Sequence, residues 1–205
     1  MTYAETSTRD KILLAALELF SQQGIGNTSV DQVAYQAGVT RITVYRYFAN
    51  KQDLVRAAFL HVEQAFQDGL LELQQNPQAS WSGVMEQIGK RLSTLPRSDA
   101  AARTDELKRL YPEVYQSVQQ VRTATLNGLF DQFMTVAEQR RLLRPGLSRP
   151  IVQAVFWELI VNFFDNPRFQ SFGLSDDELY QTLSDILLHG ILKSDPPKTR
   201  RRAQQ

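Results

Sequence analysis

The chain has 205 residues, 42% of them apolar, and a net charge of +1. This apolar content suits a packed core and argues against a disordered chain, and the absence of cysteine excludes disulfides, cysteine-ligated metals and thiol nucleophiles. No apolar run approaches the roughly 18 residues of a transmembrane helix, and the polar first residues do not resemble a signal peptide, so we expect a soluble cytoplasmic protein.

The first predicted element is an amphipathic helix from Thr6 to Gln23. Its apolar residues recur on one helical face, and Ser7 with Asp10 three residues later forms a typical helix start. Gly24 suits the left-handed stop of such a helix. We expect this helix to be scaffold.

The stretch from Thr28 to Lys51 has the outline of a helix-turn-helix DNA reader. A second helix begins near Ser29, which forms a capping box with Gln32. Gly38 then permits the positive φ of a sharp turn between helices, and Thr40 is a good N-cap for the helix that follows.

Residues 40–48 predict a helix with two different sides. At about 100° per residue, Val44 and Phe48 fall together and should face the core. The other side carries arginines, tyrosines, a threonine and an isoleucine, which suit a DNA groove: arginine can donate two hydrogen bonds to guanine, an apolar group can meet a thymine methyl, and tyrosine hydroxyls can reach phosphates. Taken alone, the same side also fits an ordinary surface whose tyrosines pack on the domain.

The next helix begins after Asn50, a predicted N-cap with Asp53 at the third helical position. Lys51 stands at the start of this helix, where the free N–H groups already favour an anion. A lysine is unfavourable there unless a phosphate compensates it. Residues 1–60 hold six basic and five acidic side chains, so any DNA contact must come from a few placed groups rather than from a broad basic surface.

The run GVTRITVYRYFANKQDLVRAAF resembles the signature of tetracycline-repressor-type (TetR/AcrR) transcriptional regulators, and the preceding GIGNTSVDQVAYQAG matches the entry to that motif. The resemblance covers about residues 8–60. It implies base contacts from Arg41, Ile42, Thr43 and Tyr45, and phosphate contacts from Thr28, Tyr47 and Lys51. It leaves the role of Arg46 open, because the family varies at that position.

The remainder of the chain predicts further helices. A long connecting helix spans residues 52–75, roughly 35–40 Å at about 1.5 Å per residue. The others are predicted at residues 80–95, 100–110, 113–141, 150 to about 164, and 175 to about 192. We therefore predict an all-α fold with a three-helix helix-turn-helix DNA-binding domain (residues 1–55), joined by the long helix to a helical ligand-binding and dimerisation domain (residues 56–192).

The last two helices carry excess apolar surface. By resemblance to the family, they pair with a second copy in a four-helix bundle, although a buried monomer core would have a similar sequence. Residues 193–205 hold five basic residues and one acidic residue, and we expect a disordered tail, solvated or in nonspecific contact with DNA. Aromatic and methionine residues of the helical domain either line an effector cavity or belong to its core: Trp81, Met85, Phe130, Phe133, Met134, Trp157 and Phe164.

Catalytic motifs are absent from the sequence. The two histidines, His61 and His189, lack metal-ligand spacing with each other, and there is no HExxH, glycine-rich phosphate loop or GxSxG. We expect no enzyme activity, metal or cofactor.

The sequence thus predicts a dimeric, sequence-specific DNA-binding regulator, most simply a repressor of a palindromic operator, released by a small hydrophobic or amphipathic effector and not associated with a membrane. The alternatives are an activator, a helical adaptor that acts through a protein partner, and an enzyme in the C-terminal bundle.

Overall fold

The computed structural model describes residues 7–76, 87, 100–158, 178, 182, 185–186 and 190–191. These residues are almost wholly helical. The helices with defined bounds are α1 (Thr8–Gln23), α2 (Val30–Gln36), α3 (Arg41–Tyr47), α4 (Lys51–Gln75), α5 (Ala100–Leu110), α6 (Pro112–Gln139) and α7 (Arg149–Phe156).

Side-chain caps begin the first four helices. The Ser7 hydroxyl accepts from the Asp10 N–H at 3.1 Å, and the reciprocal capping box of Ser29 and Gln32 is formed. The Thr40 hydroxyl accepts from the Thr43 N–H, and the Asn50 side-chain oxygen accepts from the Asp53 N–H. The predicted helix starts are confirmed within two residues, since α1 begins at Thr8 rather than Thr6.

The helix α6 ends two residues before the predicted Arg141. Arg141 has a φ of 54°, in the left-handed region. Its N–H bonds to the Glu138 carbonyl at 2.9 Å, and the Leu142 N–H bonds to the Ala137 carbonyl at 2.8 Å. This pair of bonds is the Schellman closure of a helix, formed here without glycine.

One hydrophobic core joins the first four helices to the start of the C-terminal region. Phe20 of α1, Val44 of α3 and Val55 of α4 are buried in the same cluster as Leu107 of α5 and Val114 of α6. The predicted domain boundary after residue 55 falls inside α4 and within this continuous core. The α1–α3 unit is therefore packed directly on α5 and α6.

A second apolar cluster lies farther along the chain, where α6 meets α7. Its buried residues are Phe130, Met134, Val152, Phe156 and Ile191. The predicted helix at residues 80–95, most of the helix from 175 to 192, the end of the helix from 150 to 164, and the tail at 193–205 lie outside the described residues.

Candidate nucleic-acid interface

The helix α3 has one buried side and one exposed side. Val44 is 1% exposed and Phe48 is 5% exposed, so both face the core as predicted. On the other side, the exposed fraction reaches 81% for Ile42, 40% for Tyr45 and 42% for Tyr47. Such exposure of large apolar side chains is unusual for a solvated helix and typical of a surface that meets a partner.

The turn before α3 sets the angle at which that exposed side is presented. Gly38 has a φ of 66°. Its N–H bonds to the Tyr35 carbonyl, and the Val39 N–H reaches back to the Ala34 carbonyl at 2.9 Å. This is the Schellman closure of α2. It turns the chain sharply into the Thr40 cap, where the Thr40 and Thr43 hydroxyls also bond to each other at 3.0 Å.

Arg41 is held by two neighbours. Its Nη1 lies 2.8 Å from Asp31 Oδ2, in an ion pair between the exposed starts of α2 and α3. Its Nη2 donates to the Tyr45 hydroxyl at 3.4 Å, and the guanidinium lies over the Tyr45 ring at 5.4 Å from the centroid. The Tyr45 hydrogen bond and the charge of Asp31 raise the pKa of Arg41.

The contact between Asp31 and Arg41 could not be predicted from the sequence, because the two residues lie ten positions apart on different helices. The opposite charge was visible, but helical spacing does not show that the two side chains meet. In the structure, the Asp31 carboxylate contacts the guanidinium that is predicted to read a base.

Two of the three residues predicted to contact phosphate differ in their exposure. Tyr47 is exposed beside Arg46, whose guanidinium lies 5.5 Å from its ring centroid. Lys51 is half-buried, and its Nζ donates to the Gly26 carbonyl at 3.2 Å. Burial lowers the pKa of Lys51, and the nearby carboxylate of Glu106 opposes that shift.

Thr28 is only 2% exposed. Its hydroxyl donates to the Gly24 carbonyl at 2.7 Å and accepts from the Gln23 side chain at 3.2 Å. The hydroxyl therefore stabilises the loop between α1 and α2. A phosphate contact would require it to leave the Gly24 carbonyl, and that contact stays a prediction.

Glu106 of α5 is the second residue that sequence reading missed. Its Oε2 accepts from the Ile25 N–H at 2.7 Å, and its Oε1 accepts from the Gly26 N–H at 2.9 Å. These partners lie some 80 residues away in sequence, and no local pattern pairs them. The carboxylate joins the helical region to the loop that also holds Lys51.

The predicted pocket residues that can be located are packed. Phe130 and Met134 are buried against Phe156, with the two phenylalanine rings 5.3 Å apart at their centroids. Phe133 packs on the same cluster. Trp157 follows Phe156 in the sequence and is half-buried. The cluster is thus a piece of core, and its role in effector binding stays a prediction. Three predicted pocket residues lie outside the described part: Trp81, Met85 and Phe164.

No group of three or more metal-ligating side chains occurs among the described residues. Within the same residues, no helix is long and apolar enough to cross a membrane.

Comparisons with known proteins place the interface in a family. Residues 12–58 match the family model described as bacterial regulatory proteins, tetR family. The HTH-type transcriptional regulator AcrR of Shigella flexneri is 41% identical over 76 residues, which cover 37% of this chain and 34% of that protein. The match thus spans about a third of this curated relative.

Other similarities extend over more of the chain. The fatty acid metabolism regulator protein of Bacillus subtilis is 27% identical over 188 residues, 88% of this chain and 94% of that protein. The solved structure of FadR from Bacillus subtilis in complex with stearoyl-CoA has a TM-score of 0.64 at 20% identity and covers 88% of this chain and 98% of that one. This structural likeness shows the fold.

The helices α2 and α3 form a helix-turn-helix, and the long helix α4 follows it. The geometry of this segment and the proteins that it resembles are therefore typical of one kind of DNA-binding domain. Residues 12–58 thus form a DNA-binding domain of the type found in the tetR family of bacterial regulatory proteins.

Proposed function

We propose that the protein is a ligand-responsive repressor that binds a palindromic DNA operator as a homodimer. The exposed side of α3 carries this proposal. Ile42 and Tyr45 stand out from the surface beside Arg41, whose guanidinium is already held in place. Apolar and arginine side chains on one helical side match the base edges of a major groove. DNA reading is assigned to residues 1–55, with base contacts from Arg41, Ile42, Thr43 and Tyr45.

Phosphate contacts are assigned to Tyr47, Lys51 and Thr28. The net charge of residues 1–60 is only +1, which supports a small set of phosphate contacts because few cationic side chains are available to bind the DNA backbone. Arg46 is exposed next to Tyr47 and is placed to add a contact.

Dimerisation is assigned to the last two helices of residues 56–192. Ile151 is 66% exposed and Val155 is 42% exposed on α7, and Ile186 is 59% exposed farther along the chain. Large apolar side chains that a single copy leaves uncovered favour a second copy as their cover. A two-fold dimer presents two α3 helices, which suits a palindromic operator.

The effector is assigned to the helical region as a small hydrophobic or amphipathic molecule. A relative of similar length is a fatty acid metabolism regulator, and one structural neighbour binds stearoyl-CoA. A ligand releases DNA only through different affinities for two conformations, and about 3 kcal/mol of difference lowers operator affinity by two decades.

Selection of duplex DNA from a random pool by the full chain would test the proposal. We expect a palindromic site whose binding weakens as the salt concentration rises. The variants Arg41→Ala and Tyr45→Ala should each lose specific binding while remaining folded and dimeric. Arg109→Ala, which removes an exposed arginine from α5, is the matched control and should bind like the parent.

Specific binding that survived Arg41→Ala and Tyr45→Ala together would show that α3 is not the reading helix. If the selection instead enriched no site, the adaptor alternative would replace the proposed function. Adding stearoyl-CoA to the protein–operator complex tests the effector class, with coenzyme A alone as the control. Release by the acyl ester and not by coenzyme A is expected.

A further inference from the structure

The loop between α1 and α2 is held from the helical region by one carboxylate. Glu106 of α5 accepts two backbone N–H groups, from Ile25 at 2.7 Å and from Gly26 at 2.9 Å. Hydrogen bonds to an ionised acceptor are stronger than neutral ones, and two acting together fix direction as well as distance. Glu106 with residues 24–26 is called the Glu106 clamp below.

Two glycines leave the room that this clamp needs. A Cβ on Gly24 would lie 3.0 Å from Glu106 Oε2, and Gly24 has a φ of 86°. A Cβ on Gly26 would lie 3.2 Å from Glu106 Oε1. A Cβ at either position would make the carboxylate give by a few tenths of an ångström, so the clamp is sensitive to changes on both sides of the contact.

The clamped loop also holds two residues of the DNA interface. The Gly26 carbonyl accepts from Lys51 Nζ, and the Gly24 carbonyl accepts from the Thr28 hydroxyl. Lys51 begins α4 four residues after α3 ends at Tyr47, and Thr28 precedes the cap of α2. A shift of Glu106 therefore displaces the loop to which both residues are bonded.

Apolar packing alone would not set the angle between the α1–α3 unit and the helices α5 and α6. Leu107, Val114 and Val118 bury against the N-terminal core, but apolar burial is non-directional and tolerates small sliding movements. The clamp supplies the directional contact beside them.

We propose that Glu106 is a positioning residue that fixes the orientation of the α1–α3 unit on α5 and α6. In the dimer, this orientation sets the separation of the two α3 helices and so the operator spacing that the protein accepts. This inference rests on the proposed function for its operator and dimer, and on the Glu106 contacts for its mechanism.

The decisive experiment compares operators whose two half-sites are moved apart or together by one base pair. The parent protein should prefer one spacing by about tenfold, within the usual range of coupling between sites. In Glu106→Gln, one acceptor oxygen is replaced by a donor that faces an N–H, so the preference should fall to about threefold or less. Binding to a single half-site, which has no spacing to discriminate, is measured beside it. A small loss is expected there, because the loop also bonds Lys51 and Thr28, whereas a general loss of structure would abolish half-site binding.

Two further variants complete the design. Asp105→Asn removes the same charge from the exposed neighbouring residue of α5 and should keep the parent's spacing preference. Gly26→Ala places a Cβ 3.2 Å from Glu106 Oε1, crowds the clamp from the loop side and should lower the spacing preference in the same direction as Glu106→Gln. The double variant should do no more than Glu106→Gln alone, because both changes act on one contact. A spacing preference that Glu106→Gln and Gly26→Ala leave intact would overturn the proposal.

Amide hydrogen exchange without DNA separates this inference from the proposed function. The Ile25 and Gly26 amides should exchange about tenfold more slowly in the parent and in Asp105→Asn than in Glu106→Gln. Equal exchange in all three proteins would disprove the clamp even if an operator is found. If slow exchange is seen but selection enriches no operator, the proposed function fails, and the role of the clamp in operator spacing fails with it.

Discussion

At the scale of single residues, the proposed DNA interface contains two cationic side chains that other groups of the protein contact. The Arg41 guanidinium is exposed yet held by Asp31 at 2.8 Å, and the Lys51 ammonium is half-buried against a carbonyl. An exposed ion pair contributes little to stability. The Asp31 pair is therefore better explained by orientation of Arg41 than by folding energy.

Asp31→Asn should weaken discrimination between DNA sequences and strengthen nonspecific binding. The change frees the Arg41 guanidinium and removes a negative charge that repels phosphates. The preference at the base pair read by Arg41 should fall by about 1–3 kcal/mol, the worth of one good bidentate contact. Competition binding with single-base operator variants measures it, with Asp105→Asn as the charge control. Unchanged discrimination would mean that Asp31 does not orient Arg41.

Lys51→Met should reduce DNA binding without destabilising the free protein. Burial lowers the pKa of Lys51, so the charged form is disfavoured in the folded chain. That cost is fully present below the lowered pKa and disappears as the pH rises to the ordinary lysine value. The melting temperature of the variant should thus equal or exceed the parent's near pH 7, and the difference should close at high pH.

The same variant should lower the salt dependence of operator binding by about two ions, because each subunit of the dimer loses one phosphate contact. Arg109→Met is the control for removing a cation elsewhere. A salt slope equal to the parent's would exclude Lys51 from the phosphate contacts.

At the scale of helices, α3 is positioned by its entry turn. Seven-residue helices such as α2 and α3 are too short to be stable alone, so caps and packing must hold them. The Thr40 cap, the buried Val44 and the left-handed Gly38 act at successive points of the same segment. Each was recognisable in the sequence because each depends on neighbours within four residues.

Gly38→Ala should destabilise the N-terminal unit by about 1 kcal/mol through the backbone alone. A Cβ at Gly38 meets nothing within 4 Å, so the cost comes from the φ of 66° and not from a clash. Gly38→Asn should cost less, since asparagine tolerates the left-handed region better. Urea denaturation of both variants tests this order, and equal losses would point to a steric cause.

At the scale of the whole molecule, a buried ion pair ties the connecting helix α4 to α6. Glu63 is 1% exposed, and its Oε1 accepts from Arg122 Nε at 2.9 Å and from Nη2 at 2.7 Å. Removing one partner of such a pair leaves a charge buried without compensation, whereas replacing both can be neutral. We expect the pair to favour one alignment of α4 on α6.

Arg122→Met should destabilise the protein by about 3–5 kcal/mol, because Glu63 is left buried and charged. The double variant Glu63→Met with Arg122→Met should recover most of that loss. Denaturation midpoints measure all three proteins. A single variant as stable as the parent would show that the pair does not hold α4 on α6.

The sequence alone determined the helices of the described residues, their caps, the Gly38 turn, the two sides of α3 and the tetR-type motif of residues 12–58. These features arise from interactions between residues a few positions apart, where helical geometry determines which side chains lie close together. Only the tertiary structure decided that Asp31 holds Arg41, that Glu106 clamps residues 24–26, and that Glu63 pairs with Arg122 across 59 residues. Such partners depend on the crossing and register of packed helices, which a pattern along one helix does not contain.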